Sequence, residues 1–396
     1  DISRDVEVVY RTVLKDAKQL QSAAEKCKMI AADLRILFPE NPSKGNWRQM
    51  LTRGDVQTQI SKLTDSLNIL YEVLTLHVGR DKDLDNIFER VSETSAKLAR
   101  LTDTSQLGVS LWYETTMRHI VLHLTPLSIS KKFADFIAEP TRSWVFTSAT
   151  LMVDGGFTHF QRQMGLDNAT TLSLDSPFDY PNQAMLCVPR FLPEPNAREM
   201  RATLLDISIK LVKPSRGRCF LLFTSHATLN AIASQLKDKI DNPILVQGST
   251  TKRALLESYI ENKDAVLLGT GAFWEGVDVR GDDLTCVLID KLPFASPDDP
   301  LLQARIEDCR KSGGNPFAQL QIPQAAIALK QGAGRLIRDE TDKGVLVICD
   351  NRLVTKDYGK IFMGSLPDMH RTRDLQKVVD FLHDIHSDKK EVETLE

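Results

Sequence analysis

Two arginines in the stretch "KQGAGRLIRDE" (330–340) carry the first chemical signal of the chain. A guanidinium is planar, permanently charged and forked, so it matches phosphate oxygens better than an ammonium does. Read as a helix, Gln331, Arg335 and Arg338 fall at i, i+4 and i+7 on one face. Ala326, Leu329, Ala333, Leu336 and Ile337 fall on the opposite face, which would pack on a sheet. Gly332 and Gly334 each cost a helix about 1 kcal/mol relative to alanine, and a solvated face has little reason to tolerate two. The spacing admits two readings: guanidiniums and an amide presented to an anion, or a surface helix whose arginines pair with Asp339 and Glu340. A nucleotide site would also need a strand followed by G-x-x-x-x-G-K-[ST], and the 396 residues contain no such run.

A second signal comes from the residues at the end of each short apolar run. Thr147, Ser148, Ala149 and Thr150 come after "WVF"; Thr224, Ser225 and His226 come after "CFLLF". Gln247 and Gly248 succeed "ILV", and "GTGAFWEGVD" (269–278) succeeds "AVLL". Ligands of open parallel sheets bind beyond the carboxyl ends of the strands. Small hydroxylated residues and glycines there give short donors and close main-chain approach to a phosphate backbone. Each one alone also suits a helix cap or turn, but four strand ends repeat the pattern. Asp290 and Asp350 end two other apolar runs, and with no P-loop they read as turn or capping residues.

The elements that must position these residues change character along the chain. Up to about residue 102 the pattern is helical. Val6, Val13, Leu20, Cys27 and Leu34 recur every seven residues beside Tyr10, Ala17, Ala24, Ala31 and Phe38, which predicts one long helix stopped at Pro39. Further helices carry Ile60, Leu63, Leu67, Leu70 and Leu74, then Leu84, Ile87, Val91, Leu98 and Leu101, so a helical bundle is expected. "GVSLWYE" and "HIVLHLTPL" read as pairing strands, and "SWVFTSATL" as a strand running into a turn. Beyond "LDSPFDYPNQ" the runs 219–224, 244–247, 265–269, 286–290 and 344–349 alternate with helical segments. Near-continuous apolar strands between helices predict a parallel sheet covered on both faces, an α/β fold.

Bulk properties are ordinary for a globular chain: 42% hydrophobic, 26% charged, net charge −3. No global positive field advertises nucleic acid, although a local basic groove would suffice. The six cysteines form no C-x-x-C pair, so neither a zinc ribbon nor an iron–sulfur site is read, and a reduced, cytoplasmic setting is expected. No apolar stretch is long enough to span a bilayer. The start "DISRDVEVVY" without Met and the charged end "KKEVETLE" suggest an excised fragment.

"TSAT", the "FTS" strand end, "GTGAFWEGVDV" and "QGAGRLIR" resemble motifs III, IV, V and VI of superfamily 2 helicases, in that order. "FWEGVDVRGD" and "IDKLPFASPDDP" resemble the XPD/DinG branch of iron–sulfur DNA helicases, and "GVLVICDNRLV" with "RTRD" its YoaA-like members. The resemblance implies a RecA-like lobe two over 179–396, the end of lobe one over 106–178, and an Arch-like helical domain over 1–105. It implies a two-lobe, ATP-dependent motor on single-stranded DNA, 5′ to 3′, acting in repair and replication. Arg335 and Arg338 would reach the ATP phosphates, Arg338 as the finger stabilising transition-state charge. Gln331 would sit beside the γ-phosphate, with Gly276 and Asp278 near the nucleotide sugar. Thr224, Ser225, Gln247, Gly248, Thr270 and Phe273 would face the DNA, and Thr147 to Thr150 would couple the two sites.

The P-loop, the Mg²⁺-binding acidic motif and the four cysteines of the family's 4Fe-4S cluster are absent from the sequence. The chain is therefore expected to be the C-terminal part of such a helicase, with no ATPase of its own. The alternative is a non-catalytic module that recruits a replication partner. A weaker third possibility is a degenerate phosphate-binding α/β enzyme unrelated to DNA. Arg371 to His386 reads as a terminal helix with an apolar stripe of Leu375, Val378, Val379, Leu382 and Ile385. It would either dock on lobe two or take a partner, for which the YoaA-like precedent is the chi subunit of DNA polymerase III.

Overall fold

The computed structural model describes all residues except 1, 13–16, 139–141, 275–278, 280–282 and 394–396. The chain forms two compact units: Asp1–Ser128 with Ser296–Gly314, and Ile129–Ala295 with Asn315–Glu396.

In the first unit the amino-terminal helix is not continuous. Helix Ile2–Thr12 and helix Lys18–Ile36 are separate, because Ala17 at the start of the second has φ −92° and ψ 52°, outside the helical region. Two shorter helices can each bury their own stripe, Val6 and Val9 on one, Leu20, Ala24 and Leu34 on the other. Asp5 on the first pairs with Arg90 of helix Lys82–Thr102 at 2.5 Å. Helix Gly54–Thr75 buries Ile60, Leu67, Leu70 and Leu74 as its periodicity requires. Three antiparallel strands complete the unit: β1 (Lys44–Asn46), β2 (Val109–Thr115) and β3 (Ile120–Pro126), with the order β1-β2-β3. Leu111 and Tyr113 of β2 are buried in the same core as the helices. The hairpin expected in 106–178 therefore belongs to the helical unit, and so does helix Pro300–Lys311, from within the segment expected to be lobe two. Buried apolar surface, not chain order, sets these limits.

The second unit is built on a seven-stranded sheet. Its strands are β4 (Ala184–Cys187), β5 (Cys219–Leu222), β6 (Ile244–Val246), β7 (Val266–Gly269), β8 (Cys286–Ile289), β9 (Gly344–Ile348) and β10 (His370–Thr372). The spatial order is β10-β4-β9-β8-β5-β7-β6, and every pair is parallel. Every residue of β4, β5, β7, β8 and β9 is buried, which is why they read as unbroken apolar runs. Cys187, Cys219, Cys286 and Cys349 are small buried apolar groups here.

Two expectations fail in this unit. Residues 142–148 form no strand, and Val145 is 83% exposed. A strand needs a neighbour for its peptide groups, and no described strand pairs with this one. The Arg371–His386 segment is not one helix either: β10 occupies His370–Thr372 and the helix runs Leu375–Glu393. Val378, Leu382 and Ile385 are buried in the core of the sheet, so the central residues of the apolar stripe serve the fold and are not left for a partner. No described helix is long and apolar enough to cross a membrane.

Leu382→Ala should therefore destabilise this unit by about 2–5 kcal/mol, the usual cost of emptying a buried leucine site, in a denaturant titration. A change under about 0.5 kcal/mol, the usual limit for surface sites, would mean that the helix is not docked.

Candidate functional site

Because all seven strands are parallel, their carboxyl ends share one edge, and most of the hydroxylated and amide residues singled out by sequence lie there. Thr224 lies just beyond β5. Its N–H and Oγ1 donate to the Asp290 carboxylate at 2.9 and 3.2 Å, across the junction with β8. Ser225 caps helix His226–Leu236, accepting from Thr228 N–H at 3.2 Å. Thr270, after β7, donates through its N–H and Oγ1 to Gln247 Oε1 at 2.6 and 3.1 Å. His226 Nε2 lies 3.4 Å from the same Thr270 hydroxyl. Gly248 is exposed and holds φ +97°, with open space where a Cβ would be.

Two of the expected DNA contacts are instead internal. Thr270 is buried and both its groups go to Gln247, so it braces that side chain and leaves the amide nitrogen as the available donor. Phe273 is 1% exposed; its ring lies beneath Lys252 Nζ, 5.5 Å away. A Cβ on Gly269 would lie 2.7 Å from Phe273 Cβ. The glycine is there to let the aromatic side chain into the core, and Trp274 beside it is buried too. Gly276 and Asp278 lie outside the described residues. Ser148 and Thr150 engage each other, with Thr150 N–H donating to Ser148 Oγ at 3.1 Å, in a local exposed turn.

The arginines do not share a helical face. Helix Ile322–Ala333 stops at Gly334, so Gln331 is helical while Arg335 and Arg338 sit in the turn beyond. The chain leaves the helix at Gly334 with φ −68° and ψ 4°, a turn that a continuous 3.6-residue period cannot register. Leu336 and Ile337 are buried and pin that turn. Arg335 Nε and Nη2 donate to Trp274 O at 3.2 and 3.0 Å, joining the "QGAGRLIR" and "GAFW" segments. Gly332 makes the approach possible, since a Cβ there would lie 3.0 Å from Trp274 Cε3.

Sequence reasoning missed the groups that hold the arginine turn. Asp342 Oδ2 accepts from Arg338 N–H at 2.8 Å and Asp339 N–H at 2.9 Å. Gln183 Nε2 donates to the carbonyls of Asp339, Glu340 and Asp342 at 2.9–3.0 Å. Both are buried polar residues just before a strand, and that position was the only available signal. Asp290 and Asp350 do cap turns, as read. Asp350, fully buried, accepts from Leu292 N–H at 2.8 Å and pairs with Arg352 at 2.7 Å.

Comparison with known proteins points the same way. Residues 208–369 match the helicase C-terminal domain. The chain is 47% identical over 383 residues to the ATP-dependent DNA helicase YoaA of Haemophilus influenzae, and 48% identical over 386 residues to that of Escherichia coli. Each match covers 96% of this chain and 60% of the relative. The chain carries a helicase C-terminal domain and is similar to the YoaA helicases along almost its whole length. It spans about 60% of the length of these curated relatives. Among solved structures, the Xpd4 protein of S. tokodaii has a TM-score of 0.54 at 14% identity, covering 93% of this chain and 69% of that one. An XPD structure in its apo form gives 0.51 at 15% identity, with 93% and 72% covered. These place the fold among the RecA-like helicase folds, beside XPD proteins.

Asp290 offers a pH test of the carboxyl edge. Burial pushes its carboxyl up to about 7, against the pull of Lys291 and the hydrogen bonds from Lys291 and Thr224. Its pKa is thus higher in the folded chain than the value of about 3.9 in an unfolded one. Its contribution is fully present below about pH 4 and is lost as the pH rises through about 7. Asp290→Asn keeps the backbone donors on its oxygen and should flatten the fall in stability between about pH 5 and pH 7. Identical pH slopes for the two proteins in urea unfolding would rule the assignment out.

Proposed function

We propose that the chain supplies the second motor lobe of an ATP-dependent DNA helicase acting in repair and replication, with an Arch-like helical domain. The observation that carries this is the carboxyl edge of the sheet, where Thr224, Ser225, Gln247 and Gly248 converge from β5 and β6. The Gln247 amide nitrogen and the open Gly248 suit phosphates of a single strand, while Thr224, whose two donors go to Asp290, fixes the strand end beside them. Such contacts position a backbone without reading its sequence, as a translocating motor requires.

Arg335, Arg338 and Gln331 form the nucleotide half of the reading. Arg335 is held by a backbone carbonyl and Arg338 belongs to a pinned turn, so both guanidiniums are carried on a rigid base. That suits the stabilisation of charge on a transferring phosphoryl group, with Mg²⁺ supplying charge neutralisation on the bound ATP. By the resemblance to helicase motifs, Gly276 and Asp278, outside the described residues, would serve the sugar, and Thr147 to Thr150 would couple the site to DNA. The iron–sulfur cluster known in the family finds no fit here: five of the six cysteines are buried, and no group of three metal-binding side chains occurs among the described residues. The partner-recruiting alternative, with the chi subunit as its candidate, would have to use the exposed face of the last helix (Gln376, Lys377, Asp380, His383).

The 396-residue chain should bind oligothymidylate in fluorescence anisotropy, with log affinity falling linearly against log salt. Gln247→Ala should weaken binding several-fold, by about 1 kcal/mol for a lost hydrogen bond, and Arg338→Ala should leave it unchanged. Binding that is absent or insensitive to salt would sink the DNA reading. DNA-stimulated ATP hydrolysis by this chain, abolished by Arg338→Ala, would sink the view that its arginines are half of a site.

A further inference from the structure

The loop leaving β4 has a feature that the site above does not use. Phe191 is 96% exposed and its backbone holds φ at +58°, a region that bulky residues adopt only when their surroundings impose it. The imposition is visible on both sides. Arg190 N–H donates to Arg373 O at 3.1 Å. The carbonyl of Leu192, a buried residue, accepts from Asn351 Nδ2 at 3.4 Å. Glycine would sit in this turn without strain, and an exposed ring gains nothing from burial. Folding alone therefore gives no reason for phenylalanine here.

The surroundings say what the ring would meet. Arg190 and Arg373 lie beside the turn, both exposed, with Arg373 Nε donating to Val188 O at 3.4 Å. The same loop goes on to line a polar recess of about 200 Å³ with Asn196, Arg201, Thr228, Asp290 and Lys291. The recess lies where the strand order reverses, between β5 and β8, the place where open parallel sheets receive ligands. Along that edge β4 is three strand spacings from β5, about 14 Å. A recess with Arg201 and Lys291 in its lining, on the same loop as an exposed aromatic ring and next to two exposed arginines, suits a polyanion carrying flat bases.

We propose that Phe191 stacks on a base of single-stranded DNA whose backbone runs along the carboxyl edge from Thr224 past the recess, with Arg190 at the adjoining phosphate. This rests on the DNA-motor reading and extends its contact strip to β4. The test is oligothymidylate binding by the full chain. Phe191→Ala should weaken it roughly tenfold, the range of a lost base–aromatic stack, with the salt slope unchanged. Phe191→Trp should retain affinity, and Arg190→Ala should lower the salt slope by about one. Phe191→Gly separates binding from folding, because relief of the backbone should raise the melting temperature while affinity still falls. If the native chain binds no DNA, the motor reading fails and this inference with it. If the native chain binds and Phe191→Ala binds equally well, the stacking assignment alone is overturned, as it would be were Phe191 a protein contact.

Discussion

A parallel sheet buried on both faces leaves one kind of place for polar chemistry, and the larger unit depends on that constraint. Within β4, β5, β7, β8 and β9 no position is exposed, so hydroxyl, amide and carboxylate groups gather where the strands stop. Parallel direction then puts all the carboxyl ends on one side. Buried carboxylates fasten that side together. Asp290 holds the residues just beyond β5 and β8, and Asp350 holds those just beyond β8 and β9. Buried acids of this kind are tolerated because each accepts several donors. The price is a group, Asp290, whose charge the interior resists.

The arginine turn is built on different terms. Its main chain is gripped by Asp342 and Gln183, and it carries two long cationic side chains. Strand ends of the first kind give polar side chains at fixed positions, and a gripped turn of the second kind gives guanidiniums on a fixed base. A polymer track and a transferred phosphoryl group ask for these two constructions respectively.

How much of the fold was legible in the sequence depends on how each element is stabilised. β5, β7, β8 and β9 could be read because burial on both faces demands unbroken apolar runs. β10, "HRT", could not, because an edge strand is held by backbone bonds to β4 and needs no apolar side chains. The residues Leu336 and Ile337 were read as buried and are so, yet the helix assumed to carry them ends at Gly334. Periodicity reports which side chains face inward, and it is silent about where the backbone turns. Phe273 shows the reverse error. Its place after a strand end suggested a ligand face, whereas the missing side chain of Gly269 makes room for it inside.

The order of strands also bears on how the chain is made. β4 is the first of the seven to be synthesised, and its neighbours β9 and β10 are the last two. At ordinary ribosomal rates, β4 waits on the order of ten seconds or more before β9 emerges. During that interval "AMLCV" is an apolar segment with no native partner. Growing chains would hold it in reserve, shielded by chaperones or by transient collapse, and the unit would reach its final pairing only as synthesis nears completion.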